Sequence, residues 1–378
     1  MKKQTYGILV TLVCVLCLAG SLTFAADSTT TKIEKKRIMI VSSYHKEYLW
    51  SQGTNDGVCA AFLEDGSLDN KEQVAEFTKN DFVESSKAIV KKAWMDTKRR
   101  NSRAEIAEAL ARIVQQVDQF RPDLLLLGDD NAANLLGNHY LDTKIPIVFW
   151  GINGLPLKYG IIDSLKRPGH NVTGVYQKGY HIQCFEYLQK VLPGIKTTAV
   201  LSDDSPTGRA HAKRLERYAA DGTLPVNIIE IIITNSYEEW QAKALELQPK
   251  VDAFYISTHN TLHDKQGNNI DYLEAAAWYF RNIDRPSTTP ARFFVEEGFF
   301  STVEDSAFKQ GYEAAKIGHK ILTLGANPAE IVPYFPAQGP FIVNRKRAKM
   351  LGLEEQLKRH KDIIDEYIDT MAALDKQP

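Results

Sequence analysis

Two pairs of adjacent aspartates occupy equivalent places in the chain. Asp129-Asp130 follows Leu124–Gly128, and Asp203-Asp204 follows Thr198–Ser202. A helix start comes next in each case, at Asn131–Asn134 and at Ser205-Pro206-Thr207-Gly208. Carboxylates so placed can hold a hard cation, exchange protons, accept the free amides of a first helical turn, or bind a polar ligand. Capping and ligand hydrogen bonding are the expected roles. His259 and His263 stand four apart beside Asp264, which would suit a metal on a helix. Asn260, Gly267, Asn268 and Asn269 make that segment a loop, so no metal is expected. The chain has no Gly-x-Ser-x-Gly elbow, no phosphate loop and no His-Glu-x-x-His. The reading is therefore not an enzyme, with no cofactor.

As a binding cleft the rim residues make sense together. Tyr44, Trp50, Trp150 and Tyr176 offer flat apolar surface, while Ser43, Asp130, Asn131, Asn153, Ser202, Asp203 and Thr207 offer donors and acceptors. Ser257, His259 and Glu297 complete the candidate ligand-binding set from later strand ends. Helix amides near Asn131 and Thr207 favour an anionic group and an aspartate could take an ammonium, so an amino acid fits best, with a sugar or aromatic acid as alternatives.

Buried parallel strands would have to hold these groups. Leu124–Leu127 has no polar face, as a strand covered by helices on both sides requires, and open α/β sheets bind ligands at the carboxyl ends of their strands. Strands are expected at Ile38–Val41, Val74–Phe77, Leu124–Leu127, Pro146–Trp150, Val172–Tyr176, Thr198–Leu201, Val226–Ile233, Ala253–Ser257, Arg292–Val295 and Gly339–Val343. Helices are expected between them. Ser102-x-x-Glu105 is a capping box, Ser205 a cap, and Pro206 a first helical residue. A last amphipathic helix is expected to carry Ile363, Ile364, Tyr367, Ile368 and Met371.

Met1-Lys2-Lys3, the apolar run Tyr6–Phe24 and the small residues before Ala26 read as a secretory signal peptide over 1–25, followed by a flexible leader over 26–36. Export to the periplasm follows. The remainder carries 44 basic against 47 acidic side chains, which argues against a nucleic-acid partner. Cys59 and Cys184 are expected to be buried free thiols. The length suits two lobes, expected as 37–155 with 301–378, and 156–300.

Several stretches carry a resemblance: IMIVSSYH, RPDLLLLGDDNAAN, IPIVFWGIN, GHNVTGVYQ, and the ending GYEAAKIGHKILTLGANPAEI with FIVNRKRAKMLGL. With these the chain resembles the ABC-transporter substrate-binding protein family that contains the tryptophan/tyrosine-binding periplasmic proteins, a branch of the type I periplasmic binding fold. The resemblance implies two doubly wound parallel-sheet lobes joined by three crossovers, with a small molecule bound between them. It implies a monomer that delivers its ligand to an ABC permease; the alternative is a ligand sensor partnering a membrane histidine kinase. The sequence departs from the family in lacking a lipid-anchor cysteine and in having Leu353-Glu354-Glu355 where an Ile-Pro is usual.

Overall fold

The computed structural model describes residues 34–153 and 155–375. The expected signal peptide and the expected leader as far as residue 33 lie outside the described residues; the first described element is β1, which starts at Lys36, the last position expected to be leader.

The first sheet grows around the leucine run. β1 (Lys36–Ser42), β2 (Phe82–Glu84), β3 (Ala88–Trp94), β4 (Leu124–Gly128), β5 (Ile147–Ile152) and β6 (Val172–Tyr176) form a six-stranded sheet in the order β2-β3-β1-β4-β5-β6. Only β2 is antiparallel. β4 lies between β1 and β5, and its side chains alternate between two cores. Leu124 and Leu126 face one core, and Leu125 and Leu127 face the other. All four are fully buried, each worth about 1.5–3 kcal/mol of transfer free energy. Helices α1 (Leu49–Asp65), α2 (Lys71–Asn80), α3 (Arg103–Phe120) and α4 (Asp129–His139) connect the strands. The capping box of α3 forms as expected.

The second sheet has seven strands. After α5 (His181–Val191) come β7 (Thr197–Ser202), α6 (Pro206–Ala220), β8 (Asn227–Ile233), α7 (Tyr237–Leu247), β9 (Ala253–Thr258), α8 (Tyr272–Asn282) and β10 (Ser287–Thr289). The chain continues through α9 (Arg292–Glu297), β11 (Ser301–Val303), α10 (Ala307–Leu324), β12 (Phe341–Asn344), α11 (Arg345–Met350), α12 (Glu354–Arg359), β13 (Glu366–Ile368) and α13 (Ala372–Asp375). The order is β13-β12-β11-β10-β9-β7-β8, antiparallel only between β11 and β12. Ser205 caps α6 by accepting from the Gly208 amide, with Pro206 at its start, as expected.

The strand pairing corrects the expected division of the chain. β6 continues the first sheet through Ile147 paired with Val172, so residues up to Tyr176 stay with the first lobe rather than leaving it at 156. β12 and β13 extend the second sheet, so of the segment 301–378 only α10 and the stretch after it as far as Tyr334 return to the first lobe; α10 packs on α1, β4 and β5, and Tyr334 bridges to Val175 of β6. A Cβ on Gly57 would come within 2.0 Å of the Phe308 carbonyl oxygen, and one on Gly311 within 2.0 Å of the Thr54 carbonyl oxygen, so glycine permits this helix crossing. The chain changes lobe at Gln177–Tyr180, at Glu304–Ser306, and on the approach to β12. Asp305 ties the first two passages together, accepting from the Gly179 amide at 2.9 Å and from Gln310 Nε2 at 3.3 Å, and Glu304 ties in the third, its backbone bonding to Gly339 and Pro340 at 3.0 Å.

Three expected elements are corrected as well. Val74–Phe77 lies in α2, whose start is capped by Asn70 accepting from the Gln73 amide, and only Phe77 is buried there. Arg292–Val295 is the helix α9. The expected last helix is instead interrupted by β13, paired with β12.

Candidate functional site

The carboxyl ends of the two sheets face each other across a cavity of about 30 Å³. From the first lobe Tyr44, Tyr48, Trp50, Lys98, Asn153 and Gln177 line it. From the second come Thr207, His211, Ser257, Thr258, Pro290, Ala291, Phe293 and Phe294. A second cavity of about 280 Å³ shares Trp50, Ala291 and Phe293 as walls.

Aromatic rings make one wall. Tyr48 meets Tyr44 edge-on at 5.4 Å and Phe293 at 5.2 Å, and Phe293 lies 4.0 Å from Phe294. Trp50 is fixed by donating from Nε1 to Asp129 Oδ1 at 2.7 Å. Asp129 holds a left-handed backbone conformation, φ 69°, that an aspartate tolerates better than most residues. Burial pushes its carboxyl well above the usual range, against the Trp50 hydrogen bond, which favours the charged form.

The two lobes meet through hydrogen bonds at the rim. His211 Nε2 lies 2.6 Å from Asn153 Oδ1, and Nδ1 lies 3.0 Å from Ser257 Oγ. The amide oxygen can only accept, so Nε2 carries the proton and Nδ1 accepts from Ser257. Burial first, then Arg214, pushes the imidazole down to about 3, which keeps it neutral. Arg214 donates to the Asn153 carbonyl at 2.9 Å, Tyr48 donates to Asn260 Oδ1 at 3.1 Å, and the hydroxyls of Tyr44 and Thr207 lie 3.1 Å apart.

The expected site residues fall into three groups. Tyr44, Trp50, Asn153, Thr207 and Ser257 line the cavity. Asp130 lies one layer behind: it accepts from the Asn153 amide at 3.1 Å, Asn153 Nδ2 at 3.2 Å, Tyr159 OH at 2.6 Å and Thr207 Oγ1 at 3.5 Å. It does not cap α4, for which no side-chain cap bond forms. Ser43 serves there instead, reaching across from β1 to accept from the Ala132 amide at 2.8 Å while donating to the Gly128 carbonyl at 2.7 Å.

The remaining residues stand away from the cavity lining. Asn131 turns to Thr97 Oγ1 at 2.9 Å. Trp150 is buried beneath Gly128, where a Cβ would come within 2.5 Å of its ring. Tyr176 packs edge-on against Phe335 at 5.7 Å. Ser202 donates to the Asp203 carbonyl. Asp203 turns into its own lobe and accepts from Thr258 Oγ1 at 3.0 Å and from the amides of Asn260 and Thr261 at 2.7 and 3.1 Å. Burial raises its carboxyl, but Lys98 and these donors outweigh that and hold it below the usual range. His259 and Glu297 form a fully buried pair at 3.2 Å behind Phe294.

Sequence reasoning missed Lys98, Tyr48, Gln177, His211 and the Phe293-Phe294 pair. Lys98 opens the run Lys98-Arg99-Arg100, which looks like solvated charge. His211 sits in the middle of a helix whose neighbours are largely charged.

Two doubly wound sheets, three lobe crossings and a cavity between facing strand ends define a two-lobed binding protein. The chain belongs to the ABC transporter substrate binding protein family, whose model matches residues 61–360. Proteins of this family bind substrates without converting them, and the chain is not an enzyme. Its fold is similar to that of an ABC domain from Streptococcus pneumonia in complex with L-Trp, at 20% identity over 89% of this chain and 100% of that one, TM-score 0.67. A conserved domain protein from Vibrio cholerae is similar at 17% identity, 89% and 100% coverage and TM-score 0.68. The ligand-free, open structure of a substrate binding protein with adhesive properties from Clostridium difficile is similar at 20% identity, 89% and 99% coverage and TM-score 0.58. No curated protein sequence matches the chain significantly.

Proposed function

We propose that the protein captures a small organic solute with a flat apolar body between its lobes and delivers it, unchanged, to an ABC importer from the periplasm. The observation that carries this reading is the cavity itself, with walls from both sheets and an aromatic side made by Tyr44, Tyr48, Trp50, Phe293 and Phe294. A cavity of about 30 Å³ holds little more than a water. Ligand entry therefore requires the lobes to move apart. Rotation about the passages around Asp305 is the motion the fold offers, and a ligand touching both lobes favours the closed arrangement by its differential contacts.

A thermal-shift screen tests the reading. Ligand at 100 times its dissociation constant should add about 2.7 kcal/mol to stability, and mass spectrometry should recover it unaltered. Failure of every amino acid, aromatic acid and sugar to raise the melting temperature would refute it.

A further inference from the structure

We propose that Lys98 is the charge receptor of the cleft, and that the ligand is a small aromatic carboxylate bearing no ammonium group. This rests on the reading of the cavity as the ligand site. Lys98 is 3% exposed, and its Nζ lies 4.7 Å from the ring centre of Tyr44 and 5.8 Å from that of Tyr48. Among the described residues its ammonium makes no hydrogen bond and no ion pair, while its backbone carbonyl accepts from Asn101 Nδ2 at 3.3 Å. The other two basic side chains buried to this degree are both hydrogen-bonded: Lys92 donates to Asn55 Oδ1 at 3.0 Å, and Arg347 to the carbonyls of Phe280 and Ile283 at 3.2 and 2.5 Å. Ring faces attract an ammonium but do not replace a paired anion in a dry site.

The lysine is held there by its backbone. The Met95 amide donates to the Ser42 carbonyl at 2.9 Å, and the amide and hydroxyl of Thr97 both donate to the Ser43 carbonyl at 2.8 Å. Asn131 donates to the same hydroxyl. A turn pinned at both strand ends thus aims Lys98 at the cavity rather than at solvent. Burial lowers its pKa, opposed first by the charge of Asp203 and then by Asp129 and Asp130.

The same geometry disfavours an ammonium. No carboxylate lines the cavity that holds Lys98; Asp56, Glu296, Glu304 and Asp305 line only the neighbouring cavity, beyond the shared wall of Trp50, Ala291 and Phe293. Asp129 is engaged by Trp50, Asp130 by Asn153 and Tyr159, and Asp203 by Thr258 and two amides, while Glu297 is fully buried outside the cavity lining, 3.2 Å from His259. An α-amino acid carries its ammonium within a few ångströms of its carboxylate. With that carboxylate on Lys98, the ammonium would lie beside a like charge with only neutral polar groups around it, the hydroxyls of tyrosine, serine and threonine, the side-chain amides and the His211 imidazole.

Calorimetry on the purified protein, with indole-3-acetate against L-tryptophan and phenylacetate against L-phenylalanine, tests the proposal. At least one carboxylate should bind ten times or more tighter than its amino acid. Lys98→Met should weaken that binding at least thirtyfold while the unliganded protein melts no lower than wild type, because a buried unpaired charge has been removed. Tighter binding of the amino acid, or a Lys98→Met affinity within threefold of wild type, would overturn the proposal while leaving the binding-protein reading intact. D-ribose serves as a neutral third arm: its binding alone would also sink the proposal and spare that reading, and binding of none of the probes would count against both. The wild-type ranking decides the matter even if the variant does not fold.

Discussion

Replacing His211 by phenylalanine keeps a ring of similar size while removing both polar contacts. In the closed arrangement Asn153 Oδ1 loses its donor at 2.6 Å and Ser257 Oγ its acceptor at 3.0 Å. Ser257 belongs to the same lobe as His211, so that loss weighs mainly on folding. Asn153 belongs to the other lobe, and on opening water would replace the lost donor. An unpaired buried acceptor costs about 1–3 kcal/mol, so closure should weaken by that amount. At ~1.4 kcal/mol per tenfold change, ligand affinity should fall by a factor of about 5 to 150. Small-angle scattering should show a larger radius of gyration for the unliganded variant, and calorimetry the loss of affinity. A lower melting temperature with unchanged radius and affinity would refute the reasoning and make His211 a packing residue.

The remaining predictions concern other parts of the site. Because the buried imidazole is depressed from 6.5 to about 3, its neutral form is favoured in the fold; the stability tied to it is complete above pH 6.5 and lost as pH falls toward 3. The advantage of wild type over His211→Phe should accordingly shrink by up to about 1.4 kcal/mol per pH unit through that window, as followed by urea unfolding; a pH-independent difference would contradict the assignment. Asp130→Ala should destabilise the protein by roughly 2–4 kcal/mol, since the Asn153 amides and Tyr159 lose a buried acceptor; an affinity loss without a stability loss would make it a direct ligand contact instead. Gly151→Ala should cost at least ~2 kcal/mol, because the residue has φ 69° and its Cβ would come within 2.6 Å of Asp129 Oδ1, and fluorescence should report a changed Trp50 environment. Ser102→Ala should cost about 1 kcal/mol through the α3 cap and leave ligand affinity unchanged.

The layers of the fold were legible wherever local chemistry dictated them. Four successive leucines between Asp123 and Gly128 offer no polar face and suit a strand covered on both sides, and Ser102, Ser205 and Pro206 mark helix starts by properties of a single turn. What escaped depended on partners distant in the chain. β13 is short and becomes a strand through its pairing with β12, while α2 owes its start to the Asn70 cap rather than to an apolar face. The site divides the same way. Tyr44, Trp50 and Thr207 reach the cavity because strand ends and helix starts point there. Asp203 was expected at the ligand like Asp130, yet amides of Asn260 and Thr261, more than fifty residues downstream, claim it for its own lobe. Lys98 was hidden because a lysine before two arginines reads as surface until Thr97 is seen bonded to the end of β1.

A crystal structure of the protein with the tightest binder from the calorimetric panel tests the central claim most directly. The account predicts one intact ligand molecule in the cavity, its flat body against Tyr44, Trp50 and Phe293 and its polar groups touching residues of both lobes. Density confined to one lobe, lying on the outer surface, or belonging to a converted product would contradict it.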